Sequence, residues 1–183
     1  MDRKLVCINS YGGHCFDPTA AEPADLCIED IAHALSLLCR ANGHLHFFYS
    51  VAQHCLACQR EAAARGWSPR LQLLCLLHDA SEAYIGDLTR PLKRHLPAFY
   101  EIEERLQGQI YTALGLTPPS TPENAQVAEI DDAMLYHEFR LLHPTGIDVP
   151  PGALVLPLEP RELPRAQIEQ DYLAAYAALK EAL

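Results

Sequence analysis

Positive charge is scarce in this 183-residue chain: 14 Lys and Arg stand against 24 Asp and Glu, a net charge of −10. A broad duplex-binding surface needs clustered cations to displace phosphate counterions, so duplex nucleic acid is not an expected partner. A small phosphorylated molecule held by one or two local cations and a metal remains compatible with that balance. Long apolar runs are also lacking. No stretch approaches the ~18–20 apolar residues of a membrane span, so no membrane association is expected. The start, Met1-Asp2-Arg3-Lys4, leads into only a short apolar stretch and does not have the form of an export signal. Internal repeats and low-complexity tracts are absent. Cysteines do not come in an even set: there are seven, most within apolar helical patterns, where a free thiol behaves as a small hydrophobe. These features predict a reduced, soluble, cytoplasmic protein.

What is present is a globular composition, 49% apolar, at a length that fits one domain with a sizeable core. Around residues 4–18 a short hairpin is expected, with Gly12-Gly13 in its turn. From Ile28 to Arg40, Ile28, Ile31, Ala32, Leu35 and Leu38 recur at helical steps, and Asn42-Gly43 supplies a left-handed stop. A second helix is predicted from about Phe47 to Arg65. Ser68-Pro69 reads as a cap followed by a first-turn proline, opening a third helix over about 69–84. Leu88–Pro97 reads as a loop or broken turn, and 98–114 as a fourth helix. Thr121-Pro122-Glu123 repeats the cap-and-proline signature and opens a fifth helix to about Leu142. The proline-rich stretch 144–164 reads as a surface loop. A last amphipathic helix covers 165–183, with Ile168, Tyr172, Ala175 and Leu179 on one face; that face either packs on its own core or offers an interface for a homodimer or higher oligomer. The expected fold is a single all-α bundle of about six helices spanning 1–183, its motifs lying within 28–142.

The chemistry centres on His78-Asp79, inside the apolar run that starts at Leu71. Leu71, Leu74 and Cys75 precede His78 on its face, so the imidazole is expected to point inward. Glu82 follows His78 by four residues and shares its side. An isolated His-Asp pair is most simply a core histidine beside a surface aspartate. This pair is not isolated: His54 lies on the preceding helix among Phe47, Val51 and Cys58. A further acid comes from Asp131 or Asp132. Asp131 shares a face with Val127, Met134 and Glu138, whereas Asp132 falls with Ala128, Leu135 and Tyr136. Asp131 therefore suits the core better, where a carboxylate needs a partner or a metal. Two imidazoles and two carboxylates make a mixed nitrogen–oxygen set suited to Mn, Fe, Co, Ni or Zn. A metal there would activate water, and Glu82 and Asp87 could orient or deprotonate it, or protonate a leaving oxygen.

His54, His78-Asp79 and Asp131 together resemble the signature of the HD-domain metal-dependent phosphohydrolases. More narrowly, Ser50-Val51-Ala52-Gln53-His54 and His78-Asp79-Ala80-Ser81-Glu82, followed by Gly86-Asp87-Leu88, resemble the compact bacterial 5′-nucleotidases and related phage proteins. Asp30 to Ser36, with Arg40 and Gly43-His44, is similar to the phage and prophage group. The resemblance covers roughly residues 10–142. It implies an all-α fold, one divalent metal, and hydrolysis of a small nucleotide substrate, most simply a deoxyribonucleoside monophosphate. Release of triphosphate from a dNTP is the alternative within the family, and a catalytically silent nucleotide-sensing or protein-binding domain is the alternative outside it. It also implies catalytic roles for Glu82 and Asp87 and a phosphate contact for Arg40. The nucleotidases follow that arginine with an aromatic residue, and here Ala41 follows. Glu82 is followed by Ala83 rather than the Asp of alarmone hydrolases, and the Gly-Tyr-Pro signature of the cyclic-dinucleotide branch is missing. Lys93 is a further candidate for phosphate, as a point charge. His33 reads as a core or supporting residue, and His44 and His46 as candidates for a pocket mouth. Cys55-x-x-Cys58 lacks a companion pair, and His137-Glu138 lacks the following His of a zinc-protease motif.

Overall fold

The stripe Ile31, Ala32 and Leu35 folds as helix α1, Ile28–Leu37, with all three side chains fully buried. The computed structural model describes residues 7–146 and 152–183. Its other helices are α2 Val51–Ala64, α3 Pro69–Leu77, α4 Glu82–Ile85, α5 Arg90–Lys93, α6 Pro97–Ala113, α7 Thr121–Leu142 and α8 Arg165–Glu181. Six of these are the expected long helices; α4 and α5 are single turns. Ahead of α1, strands β1 (Ile8–Asn9) and β2 (Cys15–Phe16) pair antiparallel, Ile8 opposite Phe16. The all-α reading and the short hairpin both hold. Residues 4–6 of the expected hairpin and 147–151 of the proline-rich loop lie outside the described residues.

Helix α1 ends at Leu37 rather than Arg40, because Cys39 turns to pair with Ser50, and the expected loop 88–97 contains the single turn α5. Two further boundaries differ from the sequence reading. Helix α2 begins at Val51 rather than near Phe47, because Ser50 and Gln53 form a reciprocal cap. Ser50 Oγ accepts from the Gln53 N–H and Gln53 Oε1 accepts from the Ser50 N–H, both at 3.2 Å. Phe47 therefore lies outside the helix that carries His54. The predicted third helix does not run on to residue 84. It stops at Leu77 and tightens through i→i−3 bonds, Ala80 N–H to Leu77 O and Glu82 N–H to Asp79 O, before α4 begins. The break exposes the last carbonyls of α3, and side chains take them up. His78 Nδ1 lies 2.8 Å from Cys75 O, the Tyr172 hydroxyl donates to Leu76 O, and Gln107 Nε2 donates to Leu77 O, the last two also at 2.8 Å.

Helix α2 packs against α3 and α7, while α8 covers α1, α2 and α3. Ile168, Tyr172 and Leu179 of α8 are buried, so its apolar face is spent on the chain's own core. From Gly152 the chain runs without regular structure along α2 and α7. Buried Glu61 holds it by accepting from Val155 N–H (2.9 Å) and Leu156 N–H (3.0 Å).

Gly86 ends α4 at φ +82 and ψ 158, a region open essentially to glycine alone. A Cβ there would meet no neighbour within 4 Å, so the penalty is purely one of backbone. Gly86→Ala is expected to cost about 1–3 kcal/mol in urea unfolding; a loss below about 0.5 kcal/mol would mean that the turn relaxes freely.

Candidate metal centre

Three separate elements bring the site together. Helix α2 supplies His54, the break after α3 supplies His78 and Asp79, and the middle of α7 supplies Asp131. His54 Nε2 lies 3.3 Å from His78 Nε2, 3.1 Å from Asp131 Oδ1 and 3.8 Å from Asp79 Oδ2. His78 Nε2 lies 3.3 Å from Asp79 Oδ2 and 3.7 Å from Asp131 Oδ1. The sequence left Asp131 and Asp132 open; Asp131 enters the cluster, whereas Asp132 is exposed and pairs with Arg90.

The far nitrogens of both rings are already engaged. His78 Nδ1 faces the Cys75 carbonyl, which can only accept, so that nitrogen carries the proton. His54 Nδ1 lies 2.9 Å from Glu138 Oε1 and donates to it in the same way. Both Nε2 lone pairs then face one another and two carboxylates. A proton or a metal ion between these atoms relieves that arrangement.

The surroundings also favour the protonated form of both rings. Burial opposes charging of either imidazole. At His78, Asp79 and the Cys55 sulfur outweigh it; at His54, where Arg40 also opposes, the Cys58 sulfur, Glu138 and Asp131 prevail. Both pKa values rise well above the usual histidine range. Burial would also raise Asp79 and Asp131, but the two histidines hold both carboxyls low. Sulfur lies nearby as well. The ligand atoms of His54, Cys58 and His78, and those of Cys55, His78 and Asp79, each fall within 4.8 Å of one another. These buried His, Cys and Asp groups can bind a metal ion.

Arg40 is buried beside them. Its Nε donates to Glu138 Oε2 at 2.8 Å, and its terminal nitrogens come within 3.6 Å of Asp79 and 3.7 Å of Asp131. Backbone pairing fixes it there: the Arg40 N–H donates to Tyr49 O and the Val51 N–H to Leu38 O. Behind Arg40 the chain makes a left-handed turn, with φ +54, +51 and +78 at Ala41, Asn42 and Gly43. The two non-glycine residues store strain beside the site, and the Ala41 N–H donates to Asp87 Oδ2 at 3.2 Å.

A cavity of about 190 Å³ is lined by Arg40, Asp79, Glu82, Asp87, Lys93 and Asp131 among others. Every catalytic and phosphate-binding candidate from the sequence thus borders it. Burial pushes the Glu82 carboxyl well above the ordinary range, with the Asp79 and Asp87 charges adding to it. Lys93 Nζ lies 3.7 Å from Glu82 Oε1 and 2.5 Å from Glu103 Oε1. His33 stands apart, paired with Glu169 at 3.1 Å, while His44 and His46 are exposed and do not line this cavity. A larger cavity, about 420 Å³, opens between α2, α8 and the segment 156–163 and contains none of the candidates.

Two stretches of curated proteins resemble this chain. YfdR, an uncharacterized protein of Escherichia coli K12, is 40% identical over 116 residues, 63% of this chain and 62% of its own length. An uncharacterized protein of Rhodobacter capsulatus is 41% identical over 106 residues, 55% of this chain and 52% of its own. The chain thus spans between half and two thirds of these relatives. No family model matches it.

Sequence reasoning missed two site residues. Glu138 was seen on the face of Asp131, but only contact with His54 and Arg40 gives it work; seven residues after Asp131, it lies two turns on. Arg90 Nη2 donates to Asp131 Oδ2 at 2.7 Å, and no motif in the sequence points to it.

Proposed function

We propose that the chain is a divalent-metal-dependent phosphohydrolase of the HD type, acting on a nucleoside monophosphate. One observation carries the reading: Glu138 and the Cys75 carbonyl engage both Nδ1 atoms, which leaves both Nε2 atoms facing Asp79 and Asp131. His54, His78, Asp79 and Asp131 are the proposed ligands. Cys58 is a poorer one, because its sulfur lies 3.6 Å from His54 Nε2 and 4.0 Å from Nδ1, beside the ring rather than on the lone pair. The mixed nitrogen–oxygen set suits Mn, Fe, Co, Ni or Zn.

A metal ion bound there supplies Lewis acidity, which makes water nucleophilic near neutral pH and polarises a phosphoryl oxygen. Arg40 and Lys93 hold the other phosphoryl oxygens, Arg40 with its guanidinium already oriented by Glu138. Glu82 takes a proton from the attacking water as the P–O bond to water forms. The sugar P–O bond breaks, and the proton passes to the leaving oxygen. A carboxyl with an elevated pKa suits both halves of that transfer. Asp87, anchored on the Ala41 amide, keeps its second oxygen for orienting water.

The test is a screen of nucleoside mono-, di- and triphosphates with Mn, Co and Zn, products separated by chromatography. Orthophosphate from a monophosphate is the expected product; tripolyphosphate from a dNTP would move the reading to the triphosphohydrolase alternative. Glu82→Gln is expected to lower turnover about 10²–10⁴-fold while metal content by mass spectrometry stays within about twofold. Nucleotide binding without phosphate release under any metal would leave a silent sensing domain instead.

A further inference from the structure

Asp131 divides its two oxygens between different tasks. Oδ1 faces the site, 3.1 Å from His54 Nε2 and 3.7 Å from both His78 Nε2 and Arg40 Nη2. Oδ2 turns the other way and accepts from Arg90 Nη2 at 2.7 Å. A carboxylate with both oxygens free can meet an ion through one of them or through both. Arg90 removes that freedom.

The guanidinium is itself held. Its other terminal nitrogen, Nη1, donates to Asp132 Oδ1. Successive helical residues point about 100° apart, so Asp131 enters the cluster while Asp132 stays exposed on the outside of α7. A planar guanidinium fork reaches both carboxylates, where an ammonium is only a point charge. Helix α5, which carries Arg90, is a single turn closed by the Lys93 N–H donating to Thr89 O at 3.0 Å. Lys93 fastens that turn to α6 through Glu103, and Arg90 fastens it to α7. With both terminal nitrogens on carboxylates, Arg90 has little left for a phosphate. Arg40 differs, because its terminal nitrogens stand 3.6 Å from Asp79 and 3.7 Å from Asp131, beyond hydrogen-bond distance.

Arg90 thus extends a pattern. Glu138 takes the far nitrogen of His54, the Cys75 carbonyl takes that of His78, and Arg90 takes the far oxygen of Asp131. Outer partners of this kind fix the orientation of the atoms that meet a metal. Two effects of opposite sign meet at Arg90. Its positive charge opposes a nearby cation, and the carboxylate it fixes favours one. The Arg90 side chain is 46% exposed, where solvent and salt screen its charge. Orientation therefore prevails.

We propose that Arg90 is a positioning residue of the metal centre: it reserves Asp131 Oδ2, so that Oδ1 alone is offered to the ion, and Asp132 steadies the guanidinium. The assignment rests on the metal-ligand reading above and not on hydrolysis. Its test uses cobalt(II) alone on the full chain, with affinity read by competition with a chelator and the bound ion by its visible absorption. Arg90→Ala is expected to weaken cobalt binding about 10–100-fold and to alter the absorption bands, because Asp131 Oδ2 becomes available. Arg90→Lys keeps the charge without the fork and should stay at least about fivefold weaker than wild type. Asp132→Ala touches none of the proposed ligands and should weaken binding in the same direction, by about 2–10-fold. Thermal midpoints should move by less than about 4 °C, since half-exposed ion pairs add little stability. Affinity within twofold of wild type and a superimposable spectrum for Arg90→Ala would overturn the role. Tighter binding would overturn it as well, by showing that charge outweighs orientation, and so would an Arg90→Lys variant equal to wild type. A wild type that takes up no cobalt would sink the ligand reading along with it. Weakened cobalt binding in the variants, with no phosphate release from any nucleotide by the wild type, would keep the role and sink hydrolysis. Phosphate release with cobalt affinity unchanged in the variants would do the reverse.

Discussion

Replacing His78 with alanine removes the metal and lowers phosphate release by at least about 10³-fold, which is about 4 kcal/mol of transition-state stabilisation. The size follows from its three contacts. Its Nε2 faces Asp79 at 3.3 Å and His54 at 3.3 Å, while its Nδ1 is tied to the Cys75 carbonyl. Alanine leaves three proposed ligands and an unpaired carbonyl at the frayed end of α3. Loss of a residue that merely orients a ligand costs about 10–100-fold in metal affinity, so loss of a ligand itself costs more. Metal per chain, read by mass spectrometry after dialysis, should fall below about a tenth of wild type. The far-ultraviolet circular dichroism should persist, because Leu73, Leu74, Leu76 and Leu77 keep α3 in the core. A variant that retains full metal would remove His78 from the ligand set and would leave the sulfur of Cys55 or Cys58 to explain the binding.

Much of this centre was legible in the sequence because its parts obey local rules. His54, His78 and Asp131 were placed by helical spacing, and the choice of Asp131 over Asp132 came from the faces each shares. The bundle itself followed from apolar periodicity and from the cap-and-proline starts of α3 and α7. What stayed hidden was long-range. The break after Leu77 depends on Tyr172 and Gln107, which come from α8 and α6 to satisfy carbonyls that the apolar run alone would have kept inside a helix. The start of α2 was available locally, in the Ser50-x-x-Gln53 capping box, and the apolar Phe47-Phe48-Tyr49 drew the boundary too early. Arg40 enters the sequence reading only through the family resemblance, and its burial requires the strand-like pairing of Cys39 with Ser50 and a carboxylate 98 residues away. A composition rule that sends charged residues outward works against seeing such a pair.

Glu138 offers the sharpest separation of stability from chemistry. Its two oxygens, 1% exposed, accept from His54 Nδ1–H at 2.9 Å and Arg40 Nε–H at 2.8 Å. Burial would raise its pKa, but the charges of His54 and Arg40 hold it low. Glu138→Ala removes the nearest carboxylate from a buried guanidinium and a fully buried imidazole, a loss of about 3 kcal/mol. That is a large share of the ~5–15 kcal/mol typical of a folded domain, and chemical denaturation should register it directly. Glu138→Gln acts differently. Arg40 can only donate, so the amide must turn its oxygen toward Arg40 and its NH₂ toward His54. His54 Nδ1 then becomes the acceptor, its proton moves to Nε2, and the lone pair aimed at Asp131 and His78 is gone. The unfolding free energy should stay within about 1–2 kcal/mol of wild type, since both hydrogen bonds survive in altered form. Metal affinity, measured by competition with a chelator, should nevertheless fall about 10–100-fold, and phosphate release with it. Unchanged affinity in the folded amide variant would mean that His54 binds no metal through Nε2, and the proposed ligand set would have to be rebuilt around His78 and the two aspartates.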